Sequence, residues 1–200
     1  MARTRARDYD EKRLSLLRQA AAVFARDGYD RASMAGLAAE CGVSKALFYH
    51  YYASKEALLF DIISTHLEEL VEAVEAADDA GLDPELRLAR LVGALLEAYR
   101  DADAEHKLQI GTMQILPEAE QAQLKALERQ LVARFAEAIR AVAPEVFEHA
   151  PLLKPVTMSL FGMTNWFYMW FREGGPVSRA DYARLATWLL VGGVRDLAGR

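Results

Sequence analysis

The sequence predicts an all-α protein of about nine helices, on three observations. Apolar residues recur at intervals of three and four through nearly every segment. No stretch of useful length alternates apolar and polar residues as a strand does, and Pro and Gly punctuate the periodic runs. With 52% apolar residues over 200 positions the chain can bury a core, as one domain or two small ones.

The first helix is expected from about Asp10 to Arg26, where Leu14, Leu17, Ala20, Ala21 and Phe24 form one face and Gly28 ends the run. Ser33 caps a short second helix with Leu37 and Ala38 on its buried side. Cys41-Gly42-Val43 makes a bend, and Ser44 caps a third helix from Lys45 to Tyr51. Ser54-Lys55-Glu56 opens a long fourth helix with Leu58, Leu59, Ile62, Ile63, His66, Leu70 and Val74 inward, running to about Ala77. Asp83-Pro84 is a cap followed by Pro at the first helical position, so the fifth helix spans Pro84 to Arg100. A sixth covers Ala104 to Ile115 and a seventh Glu118 to Val142. Pro144, Pro151 and Pro155 confine the next stretch to turns, with one helical turn at Glu145 to Glu148. The eighth helix is placed at Val156 to Arg172, a Glu173-Gly174-Gly175-Pro176 hinge follows, and Ser178 caps the ninth, Arg179 to Leu197.

The second and third helices with their Gly-centred bend have the layout of a helix-turn-helix, and the third carries what a DNA reader needs: a cation, an imidazole and hydroxyl tips. The run GVSKALFYHYYASKEALL resembles the signature of the TetR/AcrR family of bacterial transcriptional regulators. The likeness extends upstream through Phe24-Ala25-Arg26-Asp27-Gly28-Tyr29, Ser33 and Leu37-Ala38. Ala46 and Leu47 stand where many members carry Gly or Ser and Thr, and Ala53 where Pro is common. The first two lie where bases are read, so they bear on the operator sequence and not on the fold.

The resemblance implies that residues 1–53 are a DNA-binding domain and 54–200 an effector-binding and dimerisation domain. It sets Ser44, Lys45, Ala46 and Leu47 against base edges, with Lys45 the polar reader. Tyr49, His50, Tyr51 and Lys55 then sit at phosphates or flanking bases, and Ser33 adds a phosphate contact. Tyr52 adds another hydroxyl, and Arg3, Arg5 and Arg7 a disordered basic arm. Phe48 and Cys41 read as core. The net charge of −5 hides an asymmetry in the same direction: residues 1–56 carry +3 and the remainder −8.

Helix eight is apolar nearly all round, so it needs cover on two sides, one from its own domain and one from a partner subunit. Trp170, Tyr182, Leu185, Leu189, Gly193 and Leu197 are the expected homodimer contacts, in a four-helix interface built from two copies of helices eight and nine. Met113, Phe135, Phe161, Asn165, Trp166 and Met169 are candidates for lining an effector cavity. Each aromatic or Met taken alone also reads as ordinary core, whereas Asn165 in an apolar helix asks for an interhelix hydrogen bond or a ligand contact. FGMTNWFYMWFREGGPVSR is similar to the last helices of family members that sense acyl-CoA thioesters, which implies a small hydrophobic effector, with Arg172 or Arg100 near nucleotide phosphates.

Other functions find little support. His50, His66, His106 and His149 are scattered without metal spacing, the single Cys41 has no disulfide or zinc partner, and no Gly-rich phosphate loop is present. No catalysis, metal or cofactor is expected. The longest nearly apolar run, Met158 to Phe171, falls short of the 18 or so residues of a membrane span, and no secretory signal opens the chain. The expected protein is a cytoplasmic, ligand-released dimeric repressor that binds a palindromic double-stranded DNA operator. An activator of the same family, or a constitutive DNA binder without an effector, is the alternative.

Overall fold

The structure, a computed structural model, describes residues 2–149 and 151–198, with side chains over 9–148 and 151–197. The described residues contain helices and no strand. They are α1 (Ala2–Asp27), α2 (Met34–Glu40), α3 (Lys45–Tyr51), α4 (Lys55–Ala77), α5 (Pro84–Ala98), α6 (Asp103–Thr112) with a 3-10 turn at Met113–Ile115, α7 (Glu118–Val142), α8 (Pro144–His149), α9 (Leu153–Asn165), α10 (Phe167–Trp170) and α11 (Arg179–Ala198). The all-α expectation holds, and the count exceeds nine for two reasons. The helical turn expected after Pro144 is a helix in its own right, and the expected eighth helix is divided.

That division falls at Trp166. Beside the break, Thr164 Oγ1 donates back to the Leu160 carbonyl at 3.1 Å and reaches the Phe161 carbonyl at 3.4 Å. Asn165 accepts a hydrogen bond at Oδ1 from the Tyr99 hydroxyl at 2.9 Å. The chain resumes for one turn as α10 and leaves it extended at Phe171 (φ −64°, ψ 145°), so Phe171 and Arg172 lie outside the helix expected to contain them. At the other end α9 begins at Leu153 and takes Pro155 into its first turn, where a missing N–H costs nothing.

The chain divides into two compact units, with the divisions inside α4 and α7. The first comprises residues 1–68 and 102–125. Its core draws Leu16, Leu17, Ala20, Ala21 and Phe24 from α1, Leu37 and Ala38 from α2, Phe48 from α3, and Leu58, Leu59, Ile62 and Ile63 from α4. Leu16 takes the fully buried place that the sequence assigned to Leu14, which is half-buried. α6 packs along α1, burying Leu108 and His106 and sending Lys107 Nζ to the Ala25 carbonyl at 3.1 Å. α1 begins at Ala2, well before the expected Asp10. The segment with Arg3, Arg5 and Arg7 falls within the bounds of α1, and Ala and Arg are strong helix formers. The side chains of those three lie outside the described ones, as does that of His149.

The second unit comprises residues 69–101 and 126–200. α11 is its centre, packing on α5, α8 and α9. Asp83 caps α5 by accepting at Oδ1 from Glu85 N (3.0 Å) and Leu86 N (3.3 Å). α11 opens with a reciprocal capping box: Asp181 N donates to Ser178 Oγ and Ser178 N to Asp181 Oδ2, both at 3.1 Å. No described helix is long and apolar enough to cross a membrane.

Candidate nucleic-acid interface

α2 and α3 are held by their caps and by the bend between them. Ser33 Oγ accepts from Gly36 N at 3.1 Å, and Ser44 Oγ accepts from Leu47 N at 3.2 Å. Gly42 adopts φ +64°, the left-handed conformation that ends α2 and that only glycine takes without cost. Val43 N then donates to the Ala38 carbonyl at 3.0 Å, which closes the turn.

Within α3 the helical period separates two faces. Phe48 is fully buried and pins the helix to the core, while Ser44, Lys45, Ala46, Tyr49 and His50 are exposed and Leu47 and Tyr51 half-exposed. Both capping hydroxyls use a lone pair on their own helices and keep an O–H to donate. Lys45 Nζ lies 5.8 Å from the centre of the Tyr49 ring, so the first cation of the helix leans along its outer face.

Three residues read from the sequence as contacts of this surface have additional or different roles. Tyr52 is buried, and its hydroxyl donates to Asp61 Oδ2 at 2.7 Å. Burial and the carboxylate both push its pKa upward, so it serves as a neutral donor inside the unit and not as an exposed hydroxyl tip. Lys55 donates from Nζ to the Tyr29 carbonyl at 2.9 Å and sits 4.4 Å above the Tyr29 ring, which ties the start of α4 to the turn after α1. Tyr51 is stacked on Tyr9 of α1, with ring centres 4.8 Å apart and planes 20° apart. Tyr9 is the residue that sequence reading missed. It lies one residue before the expected start of the first helix, and no sequence signal pointed to it.

The same Asp61 carboxylate also takes Arg13 of α1. Arg13 Nε donates to Oδ2 at 2.9 Å, its Nη2 to Oδ1, and Nη2 also reaches Thr65 Oγ1 at 3.2 Å. Arg13, Asp61 and Tyr52 thus join α1, α4 and the C-cap of α3 through one half-buried carboxylate.

In the second unit the residues expected to line an effector cavity do not share one environment. Phe135 and Phe161 are buried edge to face with centres 5.2 Å apart, and Asn165 is half-buried against Tyr99. Trp166 (62% exposed), Met169 and Arg172 are on the surface, while Phe167 between them is buried. Met113 is buried in the first unit. Of the expected dimer contacts, Trp170, Leu185, Leu189, Gly193 and Leu197 are exposed. Tyr182 is half-buried: its ring stacks on Phe167 at 4.9 Å, and its hydroxyl donates to the Met163 carbonyl. Among the described residues no three His, Cys, Asp or Glu side chains converge as metal ligands.

Residues 16–62 match the model of the bacterial regulatory proteins of the tetR family, and residues 81–194, more than half of the chain, match the tetracyclin repressor-like C-terminal domain. The chain belongs to the TetR family. The family is one of transcription regulators and not of enzymes. A TetR-family regulator from Bordetella parapertussis 12822 superposes with a TM-score of 0.83 at 33% identity, over 89% of this chain and 93% of that one. The regulator AibR, solved with isovaleryl coenzyme A and operator DNA, has the same fold, with a TM-score of 0.77 at 24% identity over 90% of this chain and 98% of that one. The curated repressor KstR2 of Mycobacterium tuberculosis is 24% identical over 92% of this chain and 94% of its own length. Against three other curated HTH-type regulators the match spans only 32%, 40% and 42% of their lengths.

Proposed function

We propose that this TetR-family protein is a cytoplasmic dimeric transcriptional repressor that reads a palindromic operator with α3 and leaves it when a small hydrophobic effector binds. The observation that carries the reading is the division of α3 into a face anchored by Phe48 and an exposed face of Ser44, Lys45, Ala46, Tyr49 and His50. A helix so pinned can enter a major groove as a rigid body, with its first residues at base edges. Ala46 and Leu47 have no polar atoms for bases, so they meet thymine methyls, and Lys45 supplies the polar reading. Ser33, Tyr51 and Lys55 complete the proposed contacts to the backbone.

The proposed functional division keeps a reading domain over 1–53 and an effector and dimerisation domain over 54–200. Pairing is proposed through α9, α10 and α11, which leave apolar side chains in water: Met158 on α9, Trp166 at the break, Met169 and Trp170 on α10, and Leu185, Trp188, Leu189 and Leu197 on α11. Trp188 is 71% exposed, a cost that a second copy removes. Two subunits so joined present two reading helices about one turn of DNA apart, or a little more.

For the effector we favour an acyl-CoA thioester, because AibR, which shares this fold, is described bound to isovaleryl coenzyme A. Phe135, Phe161 and Asn165 are the proposed acyl-chain contacts and Arg172 the proposed phosphate contact. Release requires the effector to favour the arrangement that does not bind DNA, by about 1–3 kcal/mol.

Selection from random DNA, followed by titration of the selected site, tests the reading. Lys45→Ala and Tyr49→Ala each weaken binding while the protein stays folded. Unchanged affinity in both would overturn the assigned face. Adding acyl-CoAs, free acids and CoA alone to the complex tests the effector: release by thioesters alone is expected, and release by free acids or CoA would refute it.

A further inference from the structure

We infer that α1 is a working part of the DNA reader, and that Tyr9 is a positioning residue that sets the C-terminal end of the reading helix through Tyr51. This inference rests on the proposed DNA-binding reading. Tyr9 and Arg13 are four residues apart on α1, hence one above the other on one helical face. They engage consecutive residues at the end of α3. Tyr9 stacks on Tyr51 at 4.8 Å, and Arg13 holds the carboxylate of Asp61 that accepts the Tyr52 hydroxyl at 2.7 Å. The aromatic contacts continue inward, from Tyr51 to Tyr52 at 6.3 Å and from Tyr52 to the buried Phe48 at 6.1 Å.

The arrangement differs from ordinary core packing. Tyr9 is 45% exposed and Tyr51 half-exposed, so the stack lies at the surface that α3 presents. α3 has only seven residues and ends in a single cap bond, Tyr52 N to the Phe48 carbonyl at 3.0 Å. A helix that short has little stiffness of its own. Its last turn, which bears His50 and Tyr51, takes its orientation from what grips it. Tyr9 supplies that grip on the outer side and the Arg13–Asp61–Tyr52 group on the inner side. With Tyr51 stacked flat, its hydroxyl is held in one direction before DNA arrives, so binding loses less side-chain freedom.

A double-mutant cycle tests this, with affinity for the selected operator, melting temperature and amide exchange at Tyr52 as readouts. Tyr9→Ala is expected to weaken binding by about fivefold, the scale of one aromatic pair. It should also speed exchange at the Tyr52 amide and lower the melting temperature by only about 2–4 °C. Tyr9→Phe, which keeps the ring, should restore both. In a Tyr51→Ala background Tyr9→Ala should have no further effect, since Tyr9 acts through Tyr51. Additive losses in the cycle, or equal losses in Tyr9→Ala and Tyr9→Phe, would show instead that Tyr9 touches DNA directly. Wild-type affinity and exchange in Tyr9→Ala would overturn the inference while leaving the proposed function standing. A wild-type protein that selects no DNA would overturn both.

Discussion

The carboxylate of Asp78, just past the end of α4, accepts two hydrogen bonds from the guanidinium of Arg87 on α5, at 2.6 and 2.9 Å, and both side chains are only 8% exposed. Arg134 of α7 adds a third at 3.1 Å, and Glu137 takes the remaining reach of Arg87 at 3.1 Å. Arg87 holds the Asp78 carboxyl below the usual carboxylate range. The end of α4 is thus tied to α5 and α7 by paired charges.

Breaking that pair strands a charge. Asp78→Ala should destabilise the protein by about 3–5 kcal/mol, because Arg87 then stays buried without its main partner. Replacing both residues with apolar side chains should recover most of the loss. Urea denaturation of the single and double variants measures the difference.

His66 of α4 and His106 of α6 are each 2% exposed, with ring centres 5.9 Å apart. Burial, with the neighbouring imidazole, pushes His66 down to about 3 from its ordinary 6.5. Below 6.5 the unfolded chain takes up a proton that the folded chain refuses, so stability falls as pH drops from 6.5 towards 3, at a slope of about 1.4 kcal/mol per unit for this group. Above 6.5 the contribution is fully present. Denaturation midpoints from pH 7 to pH 4 should trace this loss, and His66→Leu should flatten it.

Gly42 has open space where a Cβ would go, so crowding does not account for its being glycine. Its φ of +64° does. Gly42→Ala should cost about 1–2 kcal/mol and Gly42→Asn less, since Asn tolerates the left-handed region. Thermal unfolding ranks the three, and an Ala variant as stable as the parent would contradict the turn.

Charge placed on the exposed face of α11 should prevent pairing. Leu189→Lys and Trp188→Glu are expected to give monomers in size-exclusion with light scattering, with operator affinity falling as the second reading head is lost. A parent protein that is monomeric at micromolar concentration would remove the dimer proposal.

The caps were legible in the sequence because a Ser or Asp before an apolar-periodic run has one good use. Ser33, Ser44, Ser54, Asp83 and Ser178 all cap helices. The exposed face of α3 was legible by the same periodicity, which separates buried Phe48 from exposed Lys45 and Tyr49. The break at Trp166 was not, because the apolar run continues across it and no Pro or Gly lies between Met163 and Glu173 to mark it. Asn165 was recognised as needing a partner, but only the fold supplies Tyr99, 66 residues away. Lys55 and Tyr9 belong to the same class. A cation beside an exposed helix suggests phosphate, and only the fold adds the carbonyl of Tyr29 as its partner; no local pattern pairs residue 9 with residue 51.

The first unit is assembled from two separate lengths of chain, 1–68 and 102–125. On the ribosome, α1 to α4 emerge well before α6, which packs along α1 and covers its core with Leu108. Until residue 125 has been made, the first unit lacks part of its own covering and the apolar side of α1 waits for it. A fragment ending at residue 68 should therefore be a poor substitute for the whole. Operator-binding studies on isolated heads of this protein should retain residues 102–125, by a circular permutation or a short graft.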